Sequence, residues 1–330
     1  GTGSLLQSTD PTNIIFVNID WKRSRHANQA STGKNLSLLA DTTTSIVTNM
    51  EPAVICCCEV GTAMAPMTRE QMSAMAHAMR KAWEKAATER PAISFLFEDD
   101  APYLTIWDDN RCKCTHGRIL KKVYNVPGHR RMAQAFLCTM PGEGDEEGID
   151  VVNVHAPSGT AKLTESQRFQ LIQNLLQSNS MTGVGKLIGE SKFLIGGDMN
   201  TEELRLAQMF DNLHSQNILK TNVALMVPLN AKHGDICAAG GFTTTLVPQR
   251  AVNHDPQHVP YGIAWRKQPQ HATEQLTATP QTQIPTAPDT TTESRATGAT
   301  AAAAVPTEKT GAAAAAAAAP KQPQPDPQLV

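Results

Sequence analysis

Apolar residues in this chain come in short runs that end on polar groups. Ile14–Ile19, Ala53–Cys58, Ile93–Phe97, Tyr103–Trp107, Ile119–Val126, Met132–Met140, Ile149–Val154 and Lys192–Gly196 have the length and composition of strands. Weaker runs lie near Asp235–Ala238 and Gly262–Trp265. Elsewhere the period becomes helical. Thr68-x-x-Gln71 is a capping-box pattern, followed by Met72, Met75, Met79 and Trp83 at helical spacing up to about Thr88. Thr164-x-x-Gln167 opens a second helix with Phe169, Leu171, Ile172, Leu175 and Leu176 inward, and Asn200 is placed to cap a third over Glu202–Leu213. A further helix is expected over Leu36–Asn49. The four middle strands are joined by links too short for crossover helices, so they are expected to be largely antiparallel. The other segments alternate strand and helix. The order predicts an α/β fold, a four-layer α-β-β-α sandwich of two mostly antiparallel sheets with outer helices.

Composition limits where that fold lies. From Pro269 to Val330 there is no aromatic residue, Cys or Met, and an unbroken alanine run fills Ala312–Ala319. Such a segment buries too little apolar area to offset its ordering entropy. The expected organisation is therefore a flexible segment over 1–12, one domain over 13–267 and a disordered Thr/Ala/Pro/Gln-rich tail over 268–330. Of 29 basic and 31 acidic side chains the tail holds three and five, which leaves 26 of each. This neutral balance is not that of a strongly basic nucleic-acid binder. No stretch has the apolar length of a transmembrane helix, so no membrane insertion is expected. The seven cysteines suggest no disulfide framework. Cys112-x-Cys114-x-His116 lacks a second ligand pair at zinc-finger spacing and is read, like Cys56-Cys57-Cys58, as free thiols in a reducing compartment. An intracellular location, cytoplasm or nucleus, follows as an expectation, and a monomer is assumed.

Candidate chemistry gathers where the apolar runs stop. Phe193-Leu194-Ile195-Gly196-Gly197-Asp198-Met199-Asn200 reads as a buried strand entering a tight turn, with a carboxylate and an amide suited to holding water or a metal. Asn18 and Asp20 share a face at the end of the first strand, Glu59 closes the second, and Asn153 and His155 share a face further on. Asp235 and His258 follow near the end. Singly, each is ordinary for a strand end or turn. The informative feature is their recurrence on different strands. No Gly-x-Gly-x-x-Gly, P-loop or Gly-x-Ser-x-Gly elbow is present.

Taken in order, these residues resemble the endonuclease/exonuclease/phosphatase superfamily, the deoxyribonuclease-like and exonuclease III-like metal-dependent phosphodiesterases. Asn18-x-Asp20, Glu59, Asn153-Val154-His155-Ala156-Pro157, Gly197-Asp198-Met199-Asn200, Asp235 and His258-x-Pro260 are similar to its successive motifs. Gln257 stands where the family has an aspartate before the last histidine, Ile236 replaces an aromatic, and His254 is a second histidine nearby. The resemblance implies a Mg²⁺-dependent phosphodiesterase, with Mn²⁺ as the alternative ion, held by Asn18, Asp20 and Glu59. His155, Asp198, Asn200, Asp235 and His258 are the implied catalytic set. Asn153 and the basic Arg130-Arg131 pair would bind substrate, with nucleic acid the expected partner. A phosphatase or phospholipase of inositol phosphate or sphingomyelin type is the alternative within the superfamily. A non-catalytic binding module that keeps the fold is the alternative outside it.

Overall fold

The computed structural model describes residues 11–19, 33–60, 67–99, 101–121, 133–156, 163–183, 185–228, 234–248 and 259–265. They all belong to the first of two units into which the chain divides, Gly1–Gln275. Of the expected N-terminal segment over 1–12, Pro11 and Thr12 are described, with Thr12 already in a strand; residues 1–10 and the expected tail over 268–330 lie outside the described residues.

Two six-stranded sheets carry the fold. The first, in order β11-β12-β1-β2-β4-β3, comprises β1 (Thr12–Asn18), β2 (Val54–Cys58), β3 (Ile93–Leu96), β4 (Tyr103–Asp108), β11 (Thr244–Leu246) and β12 (Tyr261–Trp265). The second, in order β5-β6-β7-β8-β10-β9, comprises β5 (Lys113–Leu120), β6 (Ala133–Thr139), β7 (Ile149–His155), β8 (Phe193–Asp198), β9 (Val223–Met226) and β10 (Cys237–Gly240). Each sheet has one parallel pair at its centre, β1 with β2 and β7 with β8. Parallel neighbours require a crossover, supplied by α1 (Gly33–Met50) and α3 (Glu165–Leu176). All other pairings are antiparallel.

Strand alternation distributes the apolar side chains into three layers. Ile14 and Phe16 of β1, Val54 and Cys56 of β2, Val151 of β7 and Leu194 of β8 meet between the sheets. The intervening Ile15, Val17 and Ile55 turn outward onto α1 and α2 (Arg69–Ala86), with Met72, Met75, Met79 and Trp83 buried opposite them. Phe193 and Ile195 turn the other way onto α3 and α4 (Glu203–Ser215). Three buried layers between four structural ones make an α-β-β-α sandwich, as the sequence pattern predicts. No helix among the described residues is long and apolar enough to cross a membrane.

The capping boxes form as expected. Thr68 Oγ1 accepts from Gln71 N–H, and Gln71 Oε1 accepts from Thr68 N–H. Thr164 and Gln167 repeat the arrangement for α3. Other expectations shift. Of the strand expected over Ile119–Val126, residues 122–126 lie outside the described residues, and Ile119 and Leu120 close β5, Lys113–Leu120, an edge strand with a register shift between Thr115 and Arg118. Its exposed Lys113, His116 and Gly117 interrupt the apolar pattern. The expected α3 face includes Phe169, which is partly buried, while Arg168 occupies a buried position. The third helix is capped at Glu202, so Asn200 does not cap it.

Candidate active site

Both parallel pairs run in the direction that brings their C-terminal ends to one edge of the sandwich. Open α/β sheets bind ligands beyond the carboxyl ends of their parallel strands. In register, Asn18 lies beside Cys58 and His155 beside Asp198. The inward-facing parity that places Phe16 and Leu194 between the sheets also places Asn18 and Asp198 there. Asn18 Nδ2 donates to Asp198 Oδ2 at 3.1 Å, bridging the two sheets.

Glu59 would point away from this layer if β2 continued extended through it. Its backbone instead turns left-handed, with φ of 54°, and its carboxylate meets the His155 ring. His155 Nε2 lies 3.4 Å from Glu59 Oε1 and 3.7 Å from Asp198 Oδ2. All three side chains are buried. The His155 N–H donates to the Tyr103 hydroxyl at 3.2 Å, which fixes the strand end that carries the ring.

The turn after β8 is held from several sides. Gly197 has φ of 122°, and a Cβ there would sit 2.0 Å from Val154 O, so only glycine fits. Tyr261, reaching across from the first sheet, accepts from Gly197 N–H at 2.6 Å and has the Gly197 and Ile236 carbonyls within reach of its own proton. Burial pushes this phenol up from its ordinary pKa. Asn200 is also left-handed, a conformation that Asn tolerates better than most residues. Its N–H donates to Asp198 Oδ1 at 3.0 Å and its amide to Ala156 O at 2.7 Å. Asn200 therefore ties the ends of β7 and β8 together. Arg168 donates to Met199 O at 3.1 Å from behind the turn. Its burial pulls the guanidinium pKa down, as does Arg205, while Asp198 opposes the shift.

Asp235 is buried and joined to Asp198 by an isolated antiparallel bridge. The electrostatic result appears at Cys58, the residue before Glu59. Burial raises its thiol pKa first, and the charges of Asp198, Glu59 and Asp235 raise it further. Three carboxylates thus surround one small, buried region. Asn153 is fully buried, donates its amide to Cys57 O at 3.0 Å and leaves Oδ1 without a partner. A concentration of carboxylate and amide oxygens is the donor chemistry of a hard cation such as Mg²⁺, which binds through one or two carboxylates and retained waters. The residues present fit that ion.

The structure therefore brings Asn18, Glu59, Asn153, His155, Asp198, Asn200 and Asp235 to one edge. Asp20, Arg130, Arg131 and His258 lie outside the described residues, as do Gln257 and His254. Sequence reasoning did not single out Tyr103, Tyr261 or Arg168. The signal for the two tyrosines was a hydroxyl within an apolar run, where a buried Tyr O–H needs a partner.

No protein-family model matches the chain, and no curated protein matches it. Among solved structures it is similar to humanized D. rerio TDP2 carrying 14 mutations, 12% identical over 78% of this chain and 99% of that one, with a TM-score of 0.48. Truncated Caenorhabditis elegans TDP2 is 12% identical over 78% and 97%, with a TM-score of 0.47. An endonuclease/exonuclease/phosphatase family protein from Bacteroides thetaiotaomicron is 10% identical over 78% and 98%, with a TM-score of 0.46. At these values, function has to be argued from the side chains themselves.

Proposed function

We propose that this chain is a Mg²⁺-dependent phosphodiesterase acting on nucleic acid. The observation that carries the reading is the convergence of Asn18, Glu59, His155 and Asp198 from the carboxyl ends of two parallel strand pairs, one in each sheet. None of these buried polar groups helps a core, since desolvated carboxylates cost free energy unless paired.

Glu59 would hold the ion, with Asn18 and Asp20 as its further oxygen donors. Bound Mg²⁺ supplies charge neutralisation on the phosphoryl oxygens. The protein's own groups do the rest. Asp198, fixed by Asn18 and by Asn200 N–H, would orient a water and take its proton. His155, between two carboxylates, would contact the phosphate and serve the leaving oxygen. Asp235 would hold His258 at its other ring nitrogen for transition-state charge stabilisation. The basic groups Lys22, Arg23, Arg25, Arg130 and Arg131 favour a polyanionic backbone.

The test is hydrolysis by the full chain with Mg²⁺ on nucleic acid, phosphoinositide and sphingomyelin, beside the Asp198→Asn and Glu59→Ala variants. Cleavage of nucleic acid should fall by about 10²–10⁴-fold in Asp198→Asn, the range for losing a proton-transfer group. Equal rates in wild type and variants on all three substrates would overturn the enzyme reading. Preferential turnover of a lipid would overturn only the substrate.

A further inference from the structure

Far from the carboxylates in sequence, three cysteines meet in a way that the active-site reading does not use. Cys112 precedes β5, Cys114 lies within it, and Cys138 stands opposite Cys114 on β6. Cys112 and Cys114 are two apart and face the same way. All three enter the apolar layer between the sheets. Their sulfurs lie within 4.8 Å of one another, the only such set of three ligand atoms from His, Cys, Asp or Glu among the described residues. None is in a disulfide.

We propose that Cys112, Cys114 and Cys138 form a three-thiolate site for a soft monovalent cation, Cu(I). Metal–thiolate bonds of about 2.3 Å, the length thiolates make to zinc, would set three trigonal sulfurs about 4 Å apart. The observed cluster needs only a small contraction to reach that. Soft thiolates select Cu(I), Zn²⁺ or iron–sulfur clusters. Structural Zn²⁺ is almost always four-coordinate, and a fourth ligand is the missing element. His116, two residues beyond Cys114, has φ of 53° and sits at the surface with Asp145 at 3.1 Å from its Nε2. Cys56, also in the inter-sheet layer, has Thr105 as its side-chain hydrogen-bond neighbour.

The ordinary alternative is that these are small core residues. Cys57 shows what that looks like: it packs in the apolar layer against the helices and belongs to no such cluster of ligand atoms. At Cys138, by contrast, the Cys112 and Cys114 sulfurs both lie within 4.8 Å, and the Cys112 thiol has the Ala53 carbonyl at 3.7 Å as its acceptor. Core packing does not require three sulfurs to converge. Binding replaces the three thiol protons, which pass to solvent, with three sulfur–metal bonds and no change of oxidation state. The excess negative charge of the filled site has a neighbour in Arg111, whose guanidinium is anchored to the Glu51 and Pro52 carbonyls beside Cys112.

The experiment is anaerobic titration of the reduced full chain with Cu(I) against a competing Cu(I) chelator, with sulfur coordination read by X-ray absorption. About one ion per chain on three sulfurs is expected. Cys114→Ser and Cys138→Ser should weaken binding more than about 100-fold, beyond the range for losing an outer partner. Cys237→Ser and Asp198→Asn should leave it unchanged, so the result does not depend on phosphodiesterase activity. Thermal unfolding checks that each variant folds, and the wild-type sulfur count needs no variant. Failure to hold Cu(I) against the chelator, a two-sulfur spectrum, or tighter retention of Zn²⁺ with a fourth ligand would each overturn the proposal.

Discussion

Tyr261 illustrates how a single buried polar atom can govern a site it does not belong to. Its hydroxyl ties Gly197 of the second sheet to a strand of the first, and Gly197 precedes Asp198. Tyr261→Phe leaves the Gly197 N–H without its acceptor, at a cost of about 1–3 kcal/mol. The melting temperature should fall accordingly and turnover should fall with little change in KM; unchanged values of both would show that the hydroxyl positions nothing. At this scale the sequence was readable where the backbone stays extended. Parity put Asn153 and His155 on one face of a strand, and the structure turns both, with Asn18 and Asp198, between the sheets. It could not place Glu59 or Asn200, because both adopt left-handed backbone angles, 54° and 46°, that break the alternation. Nor could it separate Tyr261 from its apolar neighbours, since a tyrosine in a strand has the same hydrophobic signature whether or not its hydroxyl is in use.

At the scale of elements, the two crossovers do the positioning. The helix α3 connects the strands carrying His155 and Asp198, and its Arg168 reaches the Met199 carbonyl. Removing its cap tests how far the helix is needed. Thr164→Ala should cost about 1 kcal/mol, seen as a lower denaturation midpoint, with the nucleic-acid cleavage rate nearly intact below that midpoint. A larger loss of rate than of stability would mean that the helix start itself shapes the site. Helices were legible from capping boxes and spaced apolar residues, and central strands from unbroken apolar runs. Edge strands were read unevenly. β3 matches the run Ile93–Phe97, whereas β5 and β11 carry exposed polar residues that break the run, and β9 is apolar but only four residues long.

At the scale of the molecule, stability should depend on pH on the alkaline side. Burial raises the Cys57 thiol from 9.0 to about 12, and it also raises Cys237 and the Tyr261 phenol. A group raised in the folded state contributes fully below its unfolded pKa, and that contribution is lost as pH climbs because the unfolded chain ionises first. The melting temperature should therefore decline from about pH 8.5 upward, and each such thiol removes about 1.4 kcal/mol per pH unit until its folded value is reached. Cys57→Ala should flatten the decline by one thiol's share, and an identical slope would argue against it. The four-layer plan was legible because three apolar layers leave a period-two and a helical imprint on the chain. The closeness of its two halves was not. The Asn18–Asp198 hydrogen bond joins residues 180 positions apart, and each parallel pair alone carries only part of the carboxylate set. Such distant partners meet late, after the entropy of closing the long intervening loop has been met. A chain still assembling on the ribosome, or one whose sheets have not docked, would hold no complete hydrolytic centre. For the nucleic-acid hydrolysis proposed above, that delay would keep the chemistry silent until folding is finished.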